Sequence, residues 1–227
     1  MITKNEQKVL DALYILKIMT SSQIRRAFFK SQPSQNRSCN KLISKNLIYK
    51  YLKSNNREIL YHSKKNIPEH RIQHTLILSE FYVVCLEKNI EILYFETDYK
   101  IDNVIADGYI ILKYNNMEYE FLIEVDYGKT FTYKKYYKLK NKDIYFPPII
   151  CITDKFIPNN ITLEHIRLKT SMENFDNFIK FLEWVNIDSF FILTQIFDCL
   201  VWLLVYVENV FNINILLKVY ICKFKNI

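Results

Sequence analysis

Glycine is almost absent from this chain, and that scarcity limits both its backbone and its chemistry. Gly108 and Gly128 are the only glycines in 227 residues, where a chain of this length carries on the order of 15. Two isolated glycines build neither a G-x-G-x-x-G sequence nor a Walker A sequence, which excludes the usual dinucleotide-binding and P-loop functions. Both remaining glycines lie next to acidic residues, at Asp107-Gly108 and Asp126-Tyr127-Gly128, so we expect tight backbone geometry beside these residues.

Charge is distributed unevenly along the chain. Residues 1–65 contain 14 lysines and arginines against 3 acidic residues, a net charge of +11, and the remaining residues carry a net −4. A basic segment next to a slightly acidic one predicts an N-terminal binder of a polyanion joined to a different kind of domain.

The composition also indicates the class of protein and its compartment. Half of the residues are hydrophobic, so the chain can bury a substantial core. The five cysteines are widely spaced and form no C-x-x-C, which argues against zinc and disulfide frameworks and favours a reducing cytoplasm. The N-terminus has no apolar segment typical of a signal peptide.

Residues 1–66 have the pattern of a winged helix-turn-helix. Thr3 with Glu6, and Thr20 with Gln23, have capping-box spacing before two apolar helical stripes. A third helix opens at Pro33, and two short strand-like runs follow around residues 54–56. In this fold the third helix enters the major groove and the wing contacts phosphates.

The exposed face of the third helix and the wing supply the expected contacts with double-stranded DNA. Arginine and asparagine are side chains that read base edges, and lysines bind phosphates. The alternative is a solvated helical face that binds nothing. The predicted DNA-binding residues are Arg37, Asn40, Lys41, Ser44, Lys50, Lys53 and Arg57.

Residues 67–195 read as an α/β domain with a mixed sheet. The predicted elements are a helix over 68–89, strands over 90–96, 104–114 and 117–126, a basic helix over 130–142, a strand over 149–153, a helix over 162–184 and a strand over 190–194. His70 and His74 are four residues apart on the long helix, and without a third ligand we expect them to be interior or interface histidines.

Three carboxylates fall near one another in this domain. Asn115 and Asn116 predict a two-residue hairpin turn, which places Asp107 directly opposite Glu124, with Asp126 on the same face as Glu124. Clustered carboxylate oxygens suit Mg²⁺ or Mn²⁺. The alternative is a solvent-facing acidic pair neutralised by lysines of the next helix.

With these residues assembled, the chain resembles the replication-relaxation family of plasmid and mobile-element proteins over about residues 3–194. The resemblance rests on the winged-helix start, His74, Glu96, the Asp107-Gly108 pair, and the run from Glu124 to Gly128 before a basic helix. It implies a restriction-endonuclease-like PD-(D/E)xK domain and a role in plasmid replication or mobilisation.

The chain departs from the family pattern at two positions. Ala106 stands where a proline often precedes the aspartate, and Asp126 occupies the position of the nuclease lysine. For a nuclease, Asp107 and Glu124 would hold the metal, and Asp126 would hold or orient it.

The role of the missing lysine can be filled from the basic helix, by Lys134 or Lys135. A relaxase that forms a covalent phosphotyrosine is a neighbouring hypothesis, with Tyr127 and Tyr133 nearest the acidic residues.

Three functions fit this sequence. The first choice is a DNA-binding protein of plasmid replication or mobilisation with a nuclease-like, non-catalytic second domain, because the motif lysine is missing. The alternatives are a metal-dependent DNA nicking or cleaving enzyme and a winged-helix transcriptional regulator.

Residues 196–227 form a hydrophobic extension that we expect to be helical. The apolar stretch over 190–207 is interrupted by polar residues, which argues against a membrane span. Its apolar residues are expected to pack on the α/β domain or on a second copy of the chain.

Overall fold

A computed structural model describes residues 1–52, 58–64, 68–126, 134–155, 157 and 163–185. The chain divides into two compact units, Met1–Phe178 and Ile179–Ile227. The predicted boundary between residues 66 and 67 therefore falls inside the first unit. The predicted strand over 190–194 and the extension over 196–227 lie outside the described residues. In the described part, no helix has the length and apolar character needed to cross a membrane.

The N-terminal module, defined here as residues 1–64, begins its first two helices as predicted. Thr3 with Glu6 and Thr20 with Gln23 form complete capping boxes, and Asn46 follows the third helix with a left-handed φ of 56°. The described elements are α1 (Lys4–Leu16), β1 (Ile18–Thr20), α2 (Ser21–Phe28), α3 (Gln32–Ser44), β2 (Tyr49–Leu52) and β3 (Ile59–His62). The strands pair antiparallel in the order β1-β3-β2. Strand β1 was not predicted, because three residues between helices are too few to show a period.

The remainder of the first unit is an α/β arrangement built on a five-stranded mixed sheet. Its named elements are α4 (Glu69–Glu87), β4 (Glu91–Ile101), β5 (Val104–Tyr114), β6 (Met117–Val125), α5 (Lys134–Lys140), β7 (Ile149–Ile152) and β8 (His165–Leu168). The strand order is β4-β5-β6-β7-β8. The first three strands are antiparallel, and β6, β7 and β8 are parallel. The α/β class and the mixed sheet are therefore confirmed.

The hairpin between β5 and β6 has the predicted turn and register. Asn115 and Asn116 have φ values of 50° and 65°, as a two-residue hairpin turn requires. Tyr114 pairs with Met117, and the same register continues to Gly108. The turn chemistry alone thus fixes which residues of the two strands lie side by side.

Helices cover both faces of the sheet. Phe121 of β6 contacts Phe178, which in turn contacts Phe81 of α4. The next residue, Leu122, packs in a cluster with Tyr136 of α5. Because successive residues of a strand point to opposite faces, α4 and α5 lie in different layers.

Hydrogen bonds join α4 to the N-terminal module. The buried Ser79 hydroxyl donates to the backbone carbonyl of Ile18 at 2.6 Å. Arg26 of α2 donates to Glu80 at 2.6 Å and to both carboxylate oxygens of Glu87 at 2.5 and 2.8 Å. These contacts explain why the module and the α/β part belong to one compact unit.

The prediction of a helix over 162–184 is wrong in its first part. His165–Leu168 forms β8, and the helix covers residues 175–185. Periodicity does not separate a short apolar run in a helix from one in a strand, and here pairing with the edge of β7 determines the outcome. Strand β4 also continues beyond the predicted residue 96, to Ile101.

Candidate functional site

Regular pairing of the sheet is interrupted at Asp107. The β5–β6 ladder ends at Gly108, and beyond it the Asp107 carboxylate accepts the backbone N–H of Val125 at 2.8 Å. Ala106 and Tyr109 both pack in the α5 layer, although residues three apart on a regular strand face opposite sides. The strand therefore loses its alternation at Asp107.

The aspartate that leaves the ladder contacts α4. The Nε2 atom of His74 lies 3.0 Å from Asp107 Oδ2 and 3.1 Å from the Val125 carbonyl oxygen. Both neighbours are acceptors, so this geometry requires a proton on Nε2. Burial lowers the pKa of His74, but Asp107, the Val125 carbonyl and the charge of Glu124 outweigh it, and the net pKa is above its ordinary value.

Glu124 contacts the other helical layer, on the α5 side. Its side chain is only 5% exposed, and Oε1 lies 2.7 Å from the ammonium nitrogen of Lys135. The buried hydroxyl of Tyr136 donates to the same oxygen. Burial and the negative charge of Asp107 raise the pKa of Glu124 to about 7, against the opposing effect of Lys135. Lys135 also donates to the Ile105 carbonyl at 2.5 Å.

Asp126 follows β6 and is held by the end of β7. Its side chain is 6% exposed, and Oδ1 lies 3.1 Å from the ammonium nitrogen of Lys155. The backbone of Asp126 donates to Ile152 and accepts the Thr153 hydroxyl. The second carboxylate oxygen, Oδ2, is buried and has no hydrogen-bond partner among the described residues. Buried acceptor oxygens are normally paired with a hydrogen-bond donor or a cation.

The three carboxylates do not share one face as predicted. Asp107 contacts α4, Glu124 contacts α5, and Asp126 contacts the loop after β7. The predicted opposition of Asp107 and Glu124 assumed that alternation continues past Gly108, and it does not. Within the described residues, no three acidic, histidine or cysteine side chains are grouped closely enough to hold a metal ion.

The backbone conformation of Gly108 does not itself require glycine. Its φ is not positive, and an added Cβ would lie 3.4 Å from Ile123, at the close limit of ordinary contact. Gly128 is outside the described residues.

The α3 face predicted to bind DNA is exposed at most of its positions. Arg37, Asn40 and Ser44 are exposed. Lys41 differs, because its ammonium group donates to both carboxylate oxygens of the buried Glu6, at 2.8 and 3.0 Å. The ammonium of Lys41 thus has a structural partner inside the module.

Of the other predicted site residues, one is described in full, and the rest lie partly or wholly outside the described residues. Lys50 is exposed on β2. Lys134 lies in α5, but its side chain is not described, and the same holds for His70 in α4. The positions outside the described residues are Lys53, Arg57, Tyr127 and Tyr133.

Sequence reasoning missed the contacts of Lys155 and His74 with the acidic residues. The contact of Lys155 could in principle be found from the sequence. The predicted strand over 149–153 ends two residues before Lys155, and parallel neighbouring strands such as β6 and β7 end at the same edge of a sheet. His74 was assigned an interior or interface position, but its contact with Asp107 depends on how α4 crosses the sheet.

Comparison with known proteins does not assign the chain to a family. No family model matches the sequence, and no curated protein gives a significant match.

Proposed function

We propose that the protein binds double-stranded DNA through its N-terminal module. The observation that carries the proposal is the exposed face of α3, which presents Arg37, Asn40 and Ser44 from a segment of strong positive charge. Three helices followed by an antiparallel strand pair are consistent with a winged helix-turn-helix, in which such a face reads the major groove. The exposed Lys50 on β2 is placed to contact phosphates.

The second part of the proposal concerns the α/β half, which we assign to a nuclease-like scaffold of the PD-(D/E)xK type. The order of helix, three antiparallel strands, helix and parallel strand supports this assignment. Each of the three acidic residues contacts a basic side chain, His74, Lys135 or Lys155. These contacts within the protein, together with the missing motif lysine, favour a non-catalytic role for this half. The resemblance implies that the role belongs to plasmid replication or mobilisation.

A second candidate is a DNA-cleaving enzyme that uses Mg²⁺ or Mn²⁺. The specific observation in its favour is the buried Asp126 Oδ2, which lacks a donor among the described residues. The contact of Lys135 with Glu124 also supplies a lysine close to a carboxylate, as the nuclease motif requires.

DNA binding is tested with Arg37→Ala in the full-length chain. Removing a base contact should weaken binding to a preferred duplex by about 1–3 kcal/mol and relax sequence preference. Lys8→Ala removes one positive charge from an exposed position on α1 and is the matched control, because it should weaken all duplexes slightly and equally. Failure of the wild-type protein to bind any duplex at low salt contradicts the proposal.

The choice between scaffold and enzyme is tested with supercoiled plasmid and calorimetry. The scaffold proposal predicts no nicking with millimolar Mg²⁺ or Mn²⁺. Nicking that disappears in Asp107→Asn would replace the scaffold by the enzyme. If calorimetry detects metal binding that Asp126→Asn abolishes while the plasmid stays intact, the scaffold has kept a metal site without catalysis.

A further inference from the structure

A cleft with several charged residues in its lining lies where the N-terminal module meets α4 and the edge strand β4 of the five-stranded sheet. Its volume is about 610 Å³. The charged residues of its lining come from separate segments of the chain: Lys17 and Lys64 of the module, Arg71 and His74 of α4, Asp98 of β4 and Asp107 of β5. The cleft therefore exists only because the module is fixed against the α/β half.

Two lining residues have unusual backbone conformations. Lys17, at the end of α1, has φ 69°, and Asp98, inside β4, has φ 58°. A positive φ is uncommon for any residue other than glycine, although aspartate and asparagine adopt it more readily than lysine, and such residues concentrate at functional sites. The two residues are joined directly, since the Lys17 ammonium lies 3.2 Å from Asp98 Oδ2 and 2.5 Å from the Thr97 hydroxyl.

The acidic residues of the cleft have partners. Asp107 accepts hydrogen bonds from the Val125 N–H and from His74. Asp98 is paired with Lys17 and lies 3.4 Å from one guanidinium nitrogen of Arg71. The carboxylates are thus engaged with protein donors and leave cationic donors to face the cleft.

The donors that remain are those of Arg71 and Lys64. Arg71 has an exposed side chain, and its Nε and second terminal nitrogen have no partner among the described residues. Lys64 is exposed, and its ammonium has no ion-pair partner in that same part of the chain. A guanidinium fork and an ammonium group that line the same cleft are donors of the kind that bind phosphate oxygens.

We propose that this cleft binds a phosphate group, and that a DNA strand supplies it. That a DNA strand supplies the phosphate rests on the proposed function, because Lys64 follows β3 of the proposed DNA-binding module. The phosphate chemistry does not rest on it, since Arg71 and Lys64 recognise a phosphate from any source. The cleft holds the strand next to Asp107 and His74, which connects the DNA-binding module with the acidic residues of the sheet.

The test uses the full-length chain and calorimetry with three probes: inorganic phosphate, thymidine 3′,5′-bisphosphate and a 5′-phosphorylated single-stranded oligonucleotide. Arg71→Ala should weaken binding of the bisphosphate and the oligonucleotide by about tenfold or more, as for loss of a charge-assisted hydrogen bond. Arg71→Lys should restore part of the loss, because it returns the charge without the fork. Lys100→Ala is the matched control, at an exposed position of β4 outside the cleft, and should bind as the wild type does.

The outcomes separate this proposal from the proposed function. Tighter binding of the oligonucleotide than of the bisphosphate, lost in Arg71→Ala, supports DNA as the source. Equal binding of the two, lost in Arg71→Ala, supports the phosphate site and overturns DNA as its source. Unchanged binding in Arg71→Ala, or no binding of any probe at millimolar concentration, overturns the site itself. None of these results depends on Arg37, whose variant tests the duplex-binding face.

Discussion

Replacing Glu124 by glutamine should make the protein more stable at neutral and alkaline pH. The carboxyl group of Glu124 is nearly inaccessible to water, and its pKa of about 7 exceeds the ordinary value of 4.5. Ionising this group in the folded protein therefore costs free energy, whereas ionising it in the unfolded chain does not, so the ionised group destabilises the fold. Glutamine keeps the shape of the side chain and an oxygen that accepts from the Tyr136 hydroxyl, but it carries no charge.

The sign and size of the effect follow from linkage between protonation and folding. Because the pKa is higher in the folded state, the folded protein binds more protons between pH 4.5 and 7, and its stability falls as the pH rises through that window. Below pH 4.5 both states are protonated and the cost is absent. Above pH 7 the full cost of ionising Glu124 is present. The rise of its pKa from 4.5 to about 7 corresponds to about 3 kcal/mol of stability.

Urea unfolding of the wild type and of Glu124→Gln at several pH values between 4 and 8 measures this cost. The stability of the variant relative to the wild type should increase by about 3 kcal/mol across the series. Glu118→Gln makes the same chemical change at an exposed position of the same strand and should show no comparable trend. A relative stability of Glu124→Gln that stays flat with pH would refute the reasoning, since burial would then not oppose the charge.

Three other substitutions test contacts that hold the fold together, each by thermal or urea unfolding. Lys41→Ala leaves the buried Glu6 without its ammonium partner and should cost about 1–3 kcal/mol, with Lys41→Arg closer to the wild type. Arg26→Ala removes the donors that join α2 to α4 and should cost about as much; no loss would mean that this contact does not fix the module. Asn116→Val forces a branched residue to φ 65° and should cost about 1–2 kcal/mol, whereas Asn116→Gly should not.

Local signals account for most of what the sequence predicted correctly. The capping boxes at Thr3 and Thr20 begin α1 and α2 because both partners lie within three residues. The two asparagines after Tyr114 set the register of β5 and β6 for the same reason. Each of these devices depends on side chains and backbone a few positions apart, so one sequence is enough to detect it.

The missed features depend on distant partners. Strand β8 forms because its residues pair with β7, and no local pattern distinguished them from a helix. The contact between Lys155 and Asp126 spans 29 positions, and that between His74 and Asp107 spans 33. Such contacts are set by how helices cross the sheet and where strands end, and one sequence without its fold leaves them open.

The interruption at Asp107 accounts for both the divided acidic residues and the cleft. Pairing between β4 and β5 continues on either side of Asp98 and Asp107, while these two facing residues are missing from the ladder. Asp98 adopts a left-handed conformation and binds Lys17 and Arg71, and Asp107 contacts His74 and the Val125 N–H. A ladder that continued through this position would place Asp107 beside Glu124 in the α5 layer, as the sequence predicted. Because of the break, Asp107 contacts α4 while Glu124 contacts α5, and Asp98 reaches Lys17 of the N-terminal module.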